Sequence, residues 1–118
     1  MIGQVLKIPF PYVQKKGFKV RPAVLINEVP GHMICAAISS KGILRTGDVY
    51  LEDWKTAGLF LPSKVKVMMI TTFSIRNLEM AIPRIGFLSD RDYKKVMKEF
   101  KVFWEKGGLL DEQSNIAV

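Results

Sequence analysis

Residues 19–41 read KVRPAVLINEVPGHMICAAISSK. Two apolar runs stand on either side of one proline–glycine turn, the pattern of two strands joined as a β-hairpin. The first run is Pro22 to Asn27, with Arg21 at its entrance. The second is Met33 to Ser39, apolar until it ends in Ser39 and Ser40. Proline fixes φ and glycine reaches positive φ, so Val29-Pro30-Gly31 supplies the turn. In an antiparallel pair the start of one strand lies beside the end of the other. Arg21 and Ser39 or Ser40 are therefore expected at one end of the hairpin. A permanent cation beside a hydroxyl suits a phosphate. On these residues alone, an arginine on a solvated rim and serines ending a strand is the simpler reading.

The rest of the chain divides into short segments. Gly3 to Ile8 reads as a first strand, stopped by Pro9-Phe10-Pro11, because proline cannot donate to a ladder. Tyr12 to Lys19 is a basic loop turning at Gly17, with Tyr12 and Phe18 bracketing Lys15 and Lys16. Rings beside cations suit single-stranded nucleic acid, where bases stack and phosphates pair; they equally suit a loop anchored to a core. Gly42 to Gly47 is a loop with Arg45 at its tip, and Asp48 to Leu51 is a short strand. Glu52 to Ala57 has acids at its start and Gly58 after its end, the pattern of a one- or two-turn helix. Lys64 to Thr71 alternates and then turns wholly apolar at Met68, as a strand running from an edge into the core or an oligomer interface. Leu78–Ile82 and Arg84–Leu88 are two further strand-like segments.

Ser89 opens the main helix, predicted over about 89–106. Ser89 and Asp92 form a capping-box-like start. Tyr93, Val96, Met97, Phe100, Phe103 and Trp104 share one face, and Gly107-Gly108 stops the helix. The tail, 107–118, is mixed in character, and its pattern leaves open whether it packs back or frays. Several short strands and one C-terminal amphipathic helix indicate a small β-barrel or curled sheet closed by a helix. At 118 residues and 48% hydrophobic, the chain suits a single domain with a packed core.

Composition narrows the chemistry. The formal net charge is +7, which favours anionic partners. No apolar run approaches the ~20 residues a membrane helix needs, and the N-terminus lacks a signal-peptide pattern. The single cysteine, Cys35, sits in an apolar strand and fits a reducing cytosol as a core residue. No cysteine or histidine cluster suggests a metal, and no glycine-rich loop suggests a nucleotide cofactor. The one histidine, His32, flanks the turn, roughly 20 Å from Ser39 along a straight strand, too far for a Ser–His–Asp triad. Cleavage of RNA by its own 2′-OH needs neither metal nor nucleotide, only a positive clamp, orientation and groups that move two protons. Arg21 and Ser39 suit the clamp; no general base stands out.

Several segments together resemble the PemK/MazF-type toxins of bacterial toxin–antitoxin systems. They are Gly3-Gln4-Val5-Leu6 with Ile8-Pro9-Phe10-Pro11; Lys19-Val20-Arg21-Pro22-Ala23-Val24-Leu25; Ala36-Ala37-Ile38-Ser39-Ser40; Leu51-Glu52-Asp53-Trp54 with Ala57-Gly58-Leu59; Pro62-Ser63; and Ile85-Gly86-Phe87-Leu88-Ser89. They span residues 3 to about 104 in the family's order. The resemblance implies an SH3-like β-barrel with a C-terminal helix, usually a homodimer in the cytoplasm. It implies a metal-independent endoribonuclease on single-stranded RNA, leaving 2′,3′-cyclic phosphate and 5′-hydroxyl ends, and held in check by a cognate antitoxin. It makes Arg21 and Ser39 the catalytic residues. With the basic character it points to Lys15, Lys16, Lys19, Ser40, Lys41, Arg45 and Lys66 as RNA-binding. Two positions depart from the pattern. Gln4 stands where an aspartate is frequent, and Met68 where many members carry an acid. Glu28, Asp48 or a loop lysine are the replacements at hand. A barrel that binds RNA or a protein target without cleavage is the alternative implied by Met68.

Overall fold

The computed structural model describes residues 2–12, 15–74 and 82–106. The hairpin is its centre. Strand β2, Phe18–Val29, and strand β3, His32–Ser39, pair antiparallel around Pro30-Gly31, with Gly31 at φ 79°. Strand β1, Gln4–Pro11, lies on the other side of β2. Strand β5, Lys64–Ser74, lies beyond β3. The short strands β4, Asp48–Tyr50, and β6, Arg84–Phe87, add to β5 and β1. The order is β4-β5-β3-β2-β1-β6, all antiparallel. The two ends do not pair with each other, so among the described residues the sheet is open. Helix α1, Asp90–Lys106, follows the last strand. The expected mainly β architecture with one C-terminal helix is what forms.

The near-continuous apolar runs of β2 and β3 have a direct cause: alternate side chains are buried on both sides of the sheet. One set, Val5, Val24, Ile26, Ala36, Ile38, Val49, Val65 and Val67, packs with Val96, Met97 and Phe100 of α1. The other set, Leu6, Ile8, Phe10, Ala23, Leu25, Cys35 and Ala37, packs with Met69 and Phe73. Cys35 is fully buried, and burial pushes its thiol up to about 12. It is a core residue, as expected.

Four local expectations are corrected. First, β1 does not stop at Pro9 but runs through Pro11. The Lys7 N–H donates to the Pro83 carbonyl, away from β2. Pro9 and Pro11 share that parity, and β6 pairs β1 only at Gln4 to Leu6, so among the described residues their missing donors fall on an open edge. Second, the basic loop ends at Gly17, because Phe18 and Lys19 already pair with Pro11 and Phe10. Third, Glu52–Ala57 is a run of turns rather than a helix. It still closes as predicted at Gly58, φ 88°, with Leu59 N–H to Trp54 O at 3.1 Å and Gly58 N–H to Lys55 O at 3.0 Å. Fourth, Asp92 does not complete a capping box. Ser89 Oγ does accept the Asp92 N–H at 3.3 Å. The Asp92 carboxylate instead reaches back to the turn, accepting the Glu52 and Asp53 N–H groups at 3.0 and 2.8 Å. Ion pairs of Arg91 with Asp53 and of Lys95 with Glu52 complete this clasp. The strand expected at Leu78–Ile82 falls outside the described residues except Ile82, and the tail 107–118 lies wholly outside them.

Candidate active site

Ala23 faces Ala37 across the hairpin, and two residues further along each strand stand Arg21 and Ser39. Antiparallel pairing therefore places them at one end. Side-chain alternation puts both on the face shared by Ala23 and Ala37. Arg21 faces Ile8 of β1, and its guanidinium carbon lies 5.9 Å from the Phe10 ring centre. Its Nε is buried and has no hydrogen-bond partner among the described residues. A buried guanidinium donor without an acceptor is costly, and an anion at this end of the sheet would satisfy it.

Ser39 ends β3 half-buried. Its Oγ accepts the Lys41 N–H at 3.2 Å, which folds the chain into a turn and fixes the hydroxyl. Ser40 and Lys41 beyond it are exposed. Ser39 pairs with Lys64 of β5, and Lys64 with Tyr50 of β4. Lys64 is 6% exposed, and its Nζ donates to the Lys41 carbonyl and, at 3.0 Å, to the Gly42 carbonyl. Nothing in the local sequence signals this. A lysine in an alternating stretch reads as solvated, yet β5 is flanked on both sides and Lys64 lies inward.

One row back, Ala37 pairs with Lys66, and Lys66 with Asp48. Lys66 Nζ lies 3.3 Å from the Asp48 carboxylate, whose side chain is 3% exposed. Asp48 also accepts the Arg45 N–H at 2.9 Å, which sets the loop tip. Lys66 is thus not a free cation; its charge is matched by an acid. Of the replacements considered for the missing acid, Asp48 shares the face of Ser39. Glu28 faces Met33 beside the turn, seven residues from Arg21, on the order of 23 Å along β2. Met68 itself is 57% exposed. It sits where β5 carries three residues, 67–69, between the partners of Ala36 and Ala37. Its side chain covers Gly47, φ 84°, where an added Cβ would stand 2.9 Å from Met68 Cγ.

The remaining cations are spread out. Lys15 and Lys16 lie on the exposed β1–β2 loop, with Lys15 Nζ 4.4 Å from the Tyr12 ring centre. Lys19 is exposed near the start of β2, on the face of Arg21. Arg45 is exposed on the loop before β4. The structure gathers Arg21, Ser39, Ser40, Lys41 and Lys66 around one end of the sheet, and leaves Lys15, Lys16 and Arg45 on flanking loops. Among the described residues, two cavities open at this end. One, of about 260 Å³, is lined by Ser39, Ser40, Tyr50 and Lys64. The other, of about 420 Å³, is lined by Lys7, Ser40, Phe60 and Arg84. Arg84 also donates to the buried Gln4 at 3.1 Å, so the glutamine at the departing position pairs with a cation as a neutral acceptor. No group of metal-ligating side chains occurs among the described residues.

Solved structures with this fold include a MazF and toxin–antitoxin complexes. The MazE–MazF complex of Deinococcus radiodurans matches with a TM-score of 0.66 at 14% identity, over 88% of this chain and 94% of that one. MazF alone from the same organism gives 0.64 at 14% identity, over 88% and 94%. An endoribonuclease in complex with its cognate antitoxin, from a mycobacterial species, gives 0.62 at 10% identity, over 90% and 95%. At such identities the likeness is one of fold. No curated protein matches the chain. A family model, that of the PemK-like, MazF-like toxin of type II toxin–antitoxin systems, matches residues 2–104. That span takes in every described strand and nearly all of α1, and the chain belongs to this toxin family.

Proposed function

We propose that the protein is the toxin of a type II toxin–antitoxin pair and a metal-independent endoribonuclease on single-stranded RNA. The observation that carries the reading is the buried Nε of Arg21, without a partner among the described residues, at the same end of the hairpin as the turn-fixed hydroxyl of Ser39. In this reading the 2′-OH attacks the adjacent phosphorus and the 5′-oxygen leaves. The products are a 2′,3′-cyclic phosphate and a 5′-hydroxyl. Arg21 neutralises charge on the phosphoryl oxygens as the new P–O bond forms, and Ser39 hydrogen-bonds one of them. Lys19, Ser40 and Lys41 border the same end, and Lys15, Lys16 and Arg45 guide the flanking strand electrostatically. Lys66 acts together with Asp48, a matched acid and base on the face of Ser39. The domain works as a cytoplasmic homodimer. The solved toxin–antitoxin complexes of the same fold support a cognate antitoxin as its protein partner.

One observation favours a second reading, a barrel that binds RNA or a protein without cleaving. Met68 occupies the position of the family acid, and Asp48 is already committed to Lys66. Cleavage assays on Arg21→Ala and Ser39→Ala distinguish the two. Loss of one preorganised donor is expected to cost about 100-fold in rate with the fold unchanged. A wild type that binds RNA tightly without cutting it establishes the second reading instead.

A further inference from the structure

We infer that Lys64 is a further RNA-binding residue, a buried counter-charge for a backbone phosphate seated in the 260 Å³ cavity beside Ser39. The inference rests on the RNA reading above and names where one phosphate sits. Lys64 is 6% exposed, and among the described residues no carboxylate pairs with it. Its ammonium has three donors, and two are taken by the Lys41 and Gly42 carbonyls. Carbonyl dipoles offset part of the cost of burying a charge but leave its net positive potential in place. That potential falls on a cavity that Lys64 itself lines with the hydroxyl-bearing Ser39, Ser40 and Tyr50. Hydroxyl donors around a partly desolvated ammonium are the chemistry of a phosphate site. The same two carbonyl bonds tie the Lys41–Gly42 turn to β5, so Lys64 also holds the turn that fixes Ser39 Oγ. A phosphate here would lie next to the serine assigned to the scissile group.

The test is binding of single-stranded 2′-fluoro RNA, which cannot cyclise, followed by fluorescence anisotropy over a range of salt. Lys64→Met is expected to weaken binding at least tenfold and to lower the slope of log affinity against log salt by about 0.7, one phosphate's worth. Lys64→Arg, which keeps the charge, should recover most of the slope. Tyr50→Glu leaves Lys64 in place and sets a carboxylate on the exposed rim of the same cavity. It should lower affinity and slope as Lys64→Met does, while the uncharged Tyr50→Gln leaves the slope unchanged. This arm decides the matter if Lys64→Met fails to fold. An unchanged salt slope in folded Lys64→Met or in Tyr50→Glu overturns the inference and leaves the RNA reading standing. A wild type that binds no RNA overturns the RNA reading, and the inference with it.

Discussion

Replacing Asp92 with alanine tests how the helix is fastened to the sheet. Asp92 is fully buried. Its two oxygens accept the Glu52 N–H at 3.0 Å and the Asp53 N–H at 2.8 Å, and Lys95 Nζ lies 3.5 Å from one of them. A hydrogen bond to a charged group contributes about 1.5–3 kcal/mol. Glu52 is exposed, so water can recover part of its N–H, and the lower figure applies to each bond. The loss is then about 3 kcal/mol, a large share of the 5–15 kcal/mol that stabilises a typical domain. For a chain of this size that lowers the melting temperature by about 12 °C. Urea denaturation and thermal melts at one fixed protein concentration measure it. Asp92→Asn keeps one carbonyl acceptor and should lose about half as much. A loss in Asp92→Ala below about 0.5 kcal/mol, the scale of an ordinary surface change, refutes the clasp.

Three other outcomes follow from the same contacts. Hydrogen bonds from Arg91 first, and then from Ser89, hold the Asp53 carboxyl well below its ordinary range. A folded-state value depressed below the unfolded one adds stability that is complete above about pH 5 and drains away as pH falls. Asp53→Asn should therefore flatten the acid limb of a stability–pH profile, and an unchanged limb argues against the pair. Cys35, with its thiol pushed up to about 12 by burial, should resist alkylation at pH 8 until the protein is unfolded, as a thiol titration with and without urea would record. Gly58→Ala should cost about 2–5 kcal/mol by denaturation, from the left-handed backbone and from overpacking. Its Cβ would stand 2.5 Å from Ile85 Cγ2 and 2.6 Å from the Ile85 carbonyl oxygen.

The hairpin was legible because its signals are local: a proline–glycine turn between two apolar runs sets the register that brings Arg21 to Ser39. The helix was legible for the same reason, from Ser89 and the spacing of its apolar face. What escaped depends on partners far away in sequence. The prolines of β1 look like a stop until one knows that, among the described residues, β2 alone pairs beside them. Asp92 looks like half of a capping box, and its real acceptor duty lies 40 residues back. Lys64 and Lys66 alternate with valines and look solvated. Only the placement of β5 between β3 and β4 turns both inward, one to carbonyls and one to Asp48. Asp48 was named among the replacements for the acid absent at Met68, but nothing local to it could choose it over Glu28, because its partner Lys66 comes from a neighbouring strand.

The central claim is cleavage of RNA by its own 2′-hydroxyl at the Arg21–Ser39 end of the hairpin. Mapping the ends of single-stranded RNA incubated with the purified protein in EDTA tests it most directly. Fragments with 2′,3′-cyclic phosphate and 5′-hydroxyl ends are expected, and Arg21→Ala should give none. RNA left intact by a folded wild-type protein, or fragments ending in 3′-hydroxyl and 5′-phosphate, would contradict it.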